Sequence, residues 1–364
     1  MNLYARTMSV TKSFTAWPGA PLALASAALF GASTPFAKLL LGAGVGPWLL
    51  AGLLYLGSGL GLSLVYLARK SLGIATNEAA LRRSDLGWLS LVILSGGVIG
   101  PLLLMLGLAR TAASTAALLL NLEGLATMAI AWLVFRENAD RRILIGAAAI
   151  LAGAVLLSWR GGDVPIGWGA VLIAGACLAW GIDNNLTRKL SNADPLEIAA
   201  AKGAVAGTTN LVLAFAGGAL LPPVTAIAGA AFIGLLGYGI SLVLFVLALR
   251  HLGSARTGAY FSTAPFIGAT LALVMFAEPV TLQLVGAALL MGIGLWLHLS
   301  ERHEHHHVHE ALEHEHRHSH DAHHQHAHAA GDPPGEPHSH WHKHAPLTHS
   351  HPHYPDMHHR HGHD

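Results

Sequence analysis

Charge is what this sequence has least of: 11% of its 364 residues are Asp, Glu, Lys or Arg, against about 25% in an ordinary soluble domain. Cysteine is reduced to Cys177 alone, which excludes a disulfide scaffold. Basic clusters are missing as well. The cations are thinly scattered between apolar runs, so a nucleic-acid-binding protein is excluded. No G-x-x-x-x-G-K-[ST] stretch occurs, so the chain offers no phosphate loop through which ATP could drive movement. What is abundant is hydrophobic residue, 53% of the chain, together with 41 glycines. Mean hydropathy is +0.49.

The net charge of +1 averages two unlike regions. Residues 1–300 hold 17 of the 21 Lys and Arg and 10 of the 20 Asp and Glu. Residues 301–364 hold the other 10 acids, four basic residues and 24 of the 26 His. The first region reads as an integral membrane protein and the second as a soluble tail.

A membrane helix needs about 20 apolar residues at about 1.5 Å each to cross the hydrocarbon layer. Ten such runs lie near 20–41, 47–68, 86–109, 114–135, 142–159, 166–187, 195–217, 227–249, 256–277 and 280–299. The first is too long for a signal-peptide core and carries Lys38 near its end, so it is expected to be a retained helix. Arg6, Lys12, Arg69, Lys70, Arg82, Arg83, Arg136, Arg141, Arg142, Arg188, Lys189, Arg250 and Arg256 fall on one side of the expected membrane, against Arg110 and Arg160 on the other. By the positive-inside tendency the first side, with both termini, faces the cytoplasm.

Around the fourth run the chain reads GLARTAASTAALLLNLEGLATMAIAWLVFRE (107–137), and around the ninth ALRHLGSARTGAYFSTAPFIGATLALVMFAEP (248–279). Both pass from a basic turn through small residues to an aromatic-rich run closed by Glu137 or Glu278. LFGASTPFAKLL (29–40) and AWGIDNNLTRKL (179–190) also echo one another. The offsets are 141 between the two Glu and 150 between the echoed segments, which divides the ten helices into two sets of five. Five is odd, so the second set enters the membrane from the opposite side. Inverted repeats of this kind are a common build of secondary transporters, with the binding site between the halves near the midplane.

These segments, with Glu137 and Glu278, resemble the paired EamA domains of the drug/metabolite transporter superfamily over roughly residues 20–299. The resemblance implies an all-α membrane protein: ten transmembrane helices in two inverted five-helix repeats, at 18–159 and 166–299. A cytoplasmic N-terminus at 1–17 precedes them and a disordered tail at 300–364 follows. It also implies transport of small metabolites, often outward, and not enzymatic turnover. The chain departs from the family pattern at Glu123-Gly124, where Glu-Pro is frequent. Pro265 holds about the corresponding place in the ninth helix, so a helix break is expected to be clearer in the second half.

Ionisable groups at membrane depth cost a few kcal/mol, so they face cavities or partners. Glu123 is the first candidate for coupling or cargo contact, because it could exchange a proton or bind a cation. Thr127, four residues on, shares its helix face. Asn121 lies about 200° round the helix from Glu123, so only one of the two can face a central cavity squarely. Asp183, Asn184 and Asn185 cannot all ligate one ion from a regular helix, since consecutive residues point about 100° apart. Asp183 could pair with Lys202 or Arg188, and Asn184 could face the cavity. Lys202 is expected in a salt bridge to Glu197, Asp183 or Glu123. Glu123, Asn121, Asp183, Asn184 and Lys202 form the candidate substrate-binding set. Gly57, Gly59, Gly61, Gly203 and Gly207 are read as packing residues, Cys177 as an inert core thiol, and His298 as interfacial.

The tail has few apolar residues and several prolines, so no core can form in it and disorder is expected. Neutral imidazole is a good ligand for Ni, Co, Zn and Cu. The candidate ligands are His303, His305, His306, His307, His309, His314, His316, His318, His320, His323, His324, His326, His328, His338, His340, His342 and His344. His303-Glu304-His305-His306-His307 also fits the H-E-x-x-H pattern of zinc proteases, a chance match at this histidine density.

The sequence thus predicts a multi-pass secondary transporter of the cytoplasmic membrane, exporting a small solute by alternating access while the tail binds metal. The alternatives are a Ni, Co, Zn or Cu exporter fed by the tail, and a membrane-anchored metal-binding or sensing protein. The expected partners are the cargo, the lipid bilayer and a second copy in a homodimer. No resident cofactor is expected.

Overall fold

The structure, a computed structural model, describes residues 19–73, 81–135, 141–159, 167–187, 190 and 193–299, and in the tail 304–309, 312–318, 338–344 and 347–352. Ten helical segments follow one another through the first 299 residues. They are α1 (Gly19–Gly42), α2 (Pro47–Ser71), α3 (Arg83–Ala109), α4 (Ala113–Leu119 and Asn121–Phe135), α5 (Arg141–Ser158) and α6 (Trp168–Thr187). Then come α7 (Pro195–Ala216), α8 (Val224 through Phe261), α9 (Ala264–Phe276) and α10 (Leu282–Leu299). Eight are long and apolar enough to cross a membrane, and the segments at α9 and α10 are shorter apolar helices.

The chain is a multi-pass membrane protein with the expected order of helices, and one expected break is absent. The sequence places a break near 250–255, yet α8 stays helical through Arg250 and Arg256 to Phe261. The interruption that follows, at Ser262–Thr263, is the one expected from Pro265. The cause is Pro265: it has no N–H to give the Phe261 carbonyl, so the helix must restart there. In α4 the matching interruption is the single residue Leu120, where the bonds tighten to Leu120 N–Ala117 O (3.2 Å) and Glu123 N–Leu120 O (3.0 Å). Gly124 leaves the helix unbroken, so the break is indeed wider in the second half.

Two pairings link a helix to its own counterpart, α2 with α7 and α5 with α10. The other two exchange: α1 packs on α8 and α9, as α6 packs on α3 and α4. Swapping the two halves leaves this pattern unchanged, as a repeat requires. Glycines set the closest approaches. A Cβ on Gly203 would sit 2.7 Å from the Gly59 Cα, and one on Gly294 2.7 Å from the Ile150 Cγ1. Similarly, a Cβ on Gly268 would lie 2.6 Å from the Gly31 carbonyl oxygen, and one on Gly181 2.9 Å from the Thr127 nitrogen. Gly31 and Gly181 are 150 residues apart, and Thr127 and Gly268 are 141 apart. The offsets read from the sequence therefore reappear as equivalent contacts.

Both α3 and α8 contain a stretch of π-helix, Ile93–Ile99 (ILSGGVI) and Leu235–Ile240 (LLGYGI). The face where α1 begins and α10 ends is the terminal face; the turn between α3 and α4 lies at the opposite, far face. Two charged side chains grip that turn. Lys38 Nζ, at the end of α1, donates to the carbonyls of Leu108 (2.6 Å) and Thr111 (2.9 Å). The Glu278 carboxylate accepts from the nitrogens of Ala113 (2.7 Å) and Ser114 (3.0 Å) and from the Ser114 hydroxyl. The cation meets the negative end of α3 and the anion the positive end of α4, both favourable to the helix dipoles.

The tail adds a feature that its composition does not predict. Glu304–His309 (β1) pairs antiparallel with Leu347–Pro352 (β4), and Leu312–His318 (β2) with His338–His344 (β3). Composition argues only from what can be buried. The alternation H-x-H-x-H has the period of a strand, and backbone pairing needs no core.

Candidate functional site

The polar side chains of the bundle meet where the two halves face one another. Glu123 is the eleventh residue of α4, about halfway along it. Its Oε1 accepts a hydrogen bond from Asn184 Nδ2 of α6 (3.0 Å), which also reaches Thr127 Oγ1 (3.2 Å). Thr127 Oγ1 in turn donates to the Glu123 carbonyl (2.9 Å). Helical spacing stacks Glu123 and Thr127 on one face, and Gly181 lets α6 come close enough for Asn184 to bridge them. Asn185 Nδ2 binds the carbonyls of Thr127 (3.0 Å) and Gly181 (2.8 Å).

Asp183 is turned toward α7 and α3. Its carboxylate pairs with the Lys202 ammonium, and the two side chains are 6% and 10% exposed. Thr187 Oγ1 donates to Asp183 Oδ1 (3.2 Å). The carboxylate occupies the space that a Cβ on Gly96 would need, so only glycine admits it there. Gly96 belongs to the π stretch of α3, where carbonyls lose their regular partners. Tyr55 Oη of α2 (2.7 Å) and Trp180 Nε1 of α6 (3.0 Å) both donate to the Gly96 carbonyl. Asn210 Nδ2 of α7 donates to that of Gly97 (3.0 Å). Rings from both halves pack beside this hub: Tyr55 on Tyr238 (centroids 5.3 Å apart), Phe30 on Tyr238 (5.9 Å) and Phe30 on Trp180 (6.1 Å).

Of the five candidate residues, the structure brings together Glu123, Asp183, Asn184 and Lys202. Asn121 is held elsewhere, donating to the Leu118 carbonyl (2.8 Å) and lying 3.7 Å from Met291 Sδ of α10. That is the opposite side of α4, as its angle from Glu123 requires. Lys202 takes Asp183 as its partner, while Glu197 accepts from the Leu81 nitrogen (3.1 Å). Arg188, the other partner considered for Asp183, lies outside the described residues. Cys177 is buried in the core, and His298 Nε2 lies 3.0 Å from the Ile143 carbonyl at the start of α5. Tyr55, Trp180 and Asn210 are additional members of the site. Their only sequence signal is the Gly96-Gly97 pair that their donors reach, and a glycine pair in an apolar run reads as packing.

Among the described residues of the bundle, no three His, Cys, Asp or Glu come together as a metal site. In the tail, the backbone is described at His305, His306, His307, His309, His314, His316, His318, His338, His340, His342 and His344. His303, His320, His323, His324, His326 and His328 lie outside the described residues.

Comparison with known proteins agrees with this architecture. The profile of the EamA-like transporter family matches twice, over residues 17–159 and 167–300. An uncharacterized transporter of Methanothermobacter thermautotrophicus is 30% identical over 227 residues, which is 60% of this chain and 66% of that protein. A Streptantibioticus cattleyicolor protein named "Probable terminal-alkyne amino-acid exporter" is 28% identical over 240 residues, 64% of this chain and 80% of that one. The fold is shared with a protein of known crystal structure at a TM-score of 0.58 and 20% identity, covering 76% of this chain and 94% of the other. With both halves matched and their helices packed as a repeat, the chain belongs to the EamA-like transporter family and is a membrane transporter.

Proposed function

We propose that the chain is a secondary transporter that exports a small organic metabolite across the cytoplasmic membrane, with both termini on the cytoplasmic side. The observation that carries this reading is the contact between Glu123 and Asn184. A carboxylate from one half is held at mid-depth by a neutral donor from the other half, beside an ion pair and a group of aromatic rings. A neutral amide satisfies one oxygen of Glu123 without neutralising its charge, so a cationic group or a proton can still be taken up there. Rocking of the two halves would break and remake this contact, which ties occupancy of the site to access. The adjoining Tyr55, Tyr238, Phe30 and Trp180 rings suit an apolar body carried on an amino group. The amino-acid cargo in the name of the Streptantibioticus relative has that chemistry.

The histidine-rich tail favours a second reading, in which Ni, Co, Zn or Cu is the cargo and the tail feeds it. Both are tested in inverted vesicles carrying the full chain or Glu123→Gln, supplied from outside in turn with apolar amino acids and with each metal. The proposal expects uptake of an organic solute that falls at least about tenfold in Glu123→Gln, with no metal flux. Metal flux that disappears in Glu123→Gln would establish the second reading. Undiminished organic flux in the variant would remove Glu123 from the site.

A further inference from the structure

The two tail ladders keep one register: Glu304 stands opposite Pro352, His309 opposite Leu347, Leu312 opposite His344 and His318 opposite His338. Alternate residues of a strand share a face. In the ladder of β2 and β3 this places His314, His316 and His318 on one face, with His342, His340 and His338 as their direct partners. The alternate rungs hold Glu313 opposite Lys343, Glu315 opposite Trp341 and Arg317 opposite Ser339. Three successive rungs of one face are thus histidine against histidine. The other face carries an opposite-charge pair that favours the same register.

In an antiparallel ladder, directly opposed Cβ atoms lie about 4.5–5.5 Å apart, and residues two apart along a strand are separated by about 6.5 Å. Imidazole binds zinc at about 2.0–2.1 Å, so ligands from two neighbouring rungs have the reach to share one ion. We propose that the rungs His314–His342 and His316–His340 form a binding site for a divalent late transition metal, with zinc as the reference ion. The proposal rests on the reading that the tail binds metal and goes beyond it by assigning the site to a register and four positions. An isolated two-stranded hairpin is marginally stable in water. An ion held across both strands fixes their pairing, so metal occupancy and strand pairing are one event.

The test uses the full-length protein in detergent, titrated with Zn(II) against a chromophoric chelator, and then with Ni(II) and Cu(II). One variant replaces His314, His316, His340 and His342 by Ser; a control replaces His320, His323, His324 and His326, and a third replaces every tail histidine. The expected result is a tightest-site Kd about tenfold or more higher in the first variant, with little change in the control. Equal effects in the two fourfold variants, or none in the first, would overturn the ladder site. A chain with no tail histidines that binds metal as well as the unaltered protein would instead overturn the tail reading itself.

Discussion

Replacing Asp183 by Asn tests whether the ion pair is worth more than its hydrogen bond. The substitution keeps the shape packed against Gly96 and an acceptor for Lys202, and removes only the charge. In a membrane protein a side-chain hydrogen bond averages about 0.6 kcal/mol. A lone Lys at the centre of a membrane helix costs about 2.5–3.5 kcal/mol. Lys202 is the eighth residue of α7, so it sits about 10 Å along the helix from its start at 1.5 Å per residue. That depth is short of the centre, and the penalty is taken as about 2 kcal/mol. It still exceeds the hydrogen-bond value about threefold, so the charge decides the outcome. Asp183→Asn and Lys202→Met should each destabilise by about 2 kcal/mol, while the double variant, which strands no charge, should fall within about 1 kcal/mol of the unaltered protein. Reversible unfolding in mixed detergent micelles, followed by tryptophan fluorescence, measures all four chains. Additive losses, or a loss below about 0.5 kcal/mol for Asp183→Asn, would refute the reasoning.

Other substitutions test neighbouring contacts. Because Tyr55 and Trp180 share one acceptor, Tyr55→Phe and Trp180→Phe should each cost about 0.5–1 kcal/mol, and together more than their sum, since the Gly96 carbonyl then loses both donors; the same unfolding assay reports it. Gly203→Val should push α2 from α7, and a monodisperse peak of unaltered thermal stability on size exclusion would contradict the packing described here. Glu278→Ala uncaps α4 and should lower stability by about 1–2 kcal/mol, with Glu278→Gln recovering part of it through its remaining acceptor. Tail-bound zinc should be released as pH falls from 7.5 toward 5.5, because protons compete with the metal for the imidazole nitrogen; equal zinc content across that range would exclude imidazole ligation.

The helices were legible because each apolar run is long enough to span and has no polar competitor, and the repeat was legible because Glu137 and Glu278 recur at a constant offset. The continuity of the helix through 250–255 was less so. Arg250 and Arg256 look like a loop, but neither breaks a helix, whereas Pro265 does so through its missing N–H. At the site, Glu123, Asp183, Asn184 and Lys202 stood out because charge and amides are scarce at membrane depth. Asn121 has the same chemistry and differs only by its angle around α4, which composition does not record. Tyr55 and Trp180 were hidden for another reason: their role depends on the irregular turn at Gly96, and a π stretch has no motif of its own. Lys38 and Glu278 were visible as charges, but that both close on one turn depends on how α1, α3, α4 and α9 come together.

The π stretches of α3 and α8 bear on how such a bundle can move. A π turn stores one residue more than an α turn. That surplus can migrate along the helix by exchanging one backbone bond at a time. Each such step re-registers only the residue it passes, by about 1.5 Å and about 100°, and leaves the segments on either side in place. In α3 the residues it would pass include Gly96 and Gly97, whose carbonyls are tied to Tyr55, Trp180 and Asn210, so re-registering them means giving up bonds to three other helices. Helix α8 has its π stretch at the equivalent place, so both halves carry a short segment whose side chains can change facing while the rest of the helix stays put.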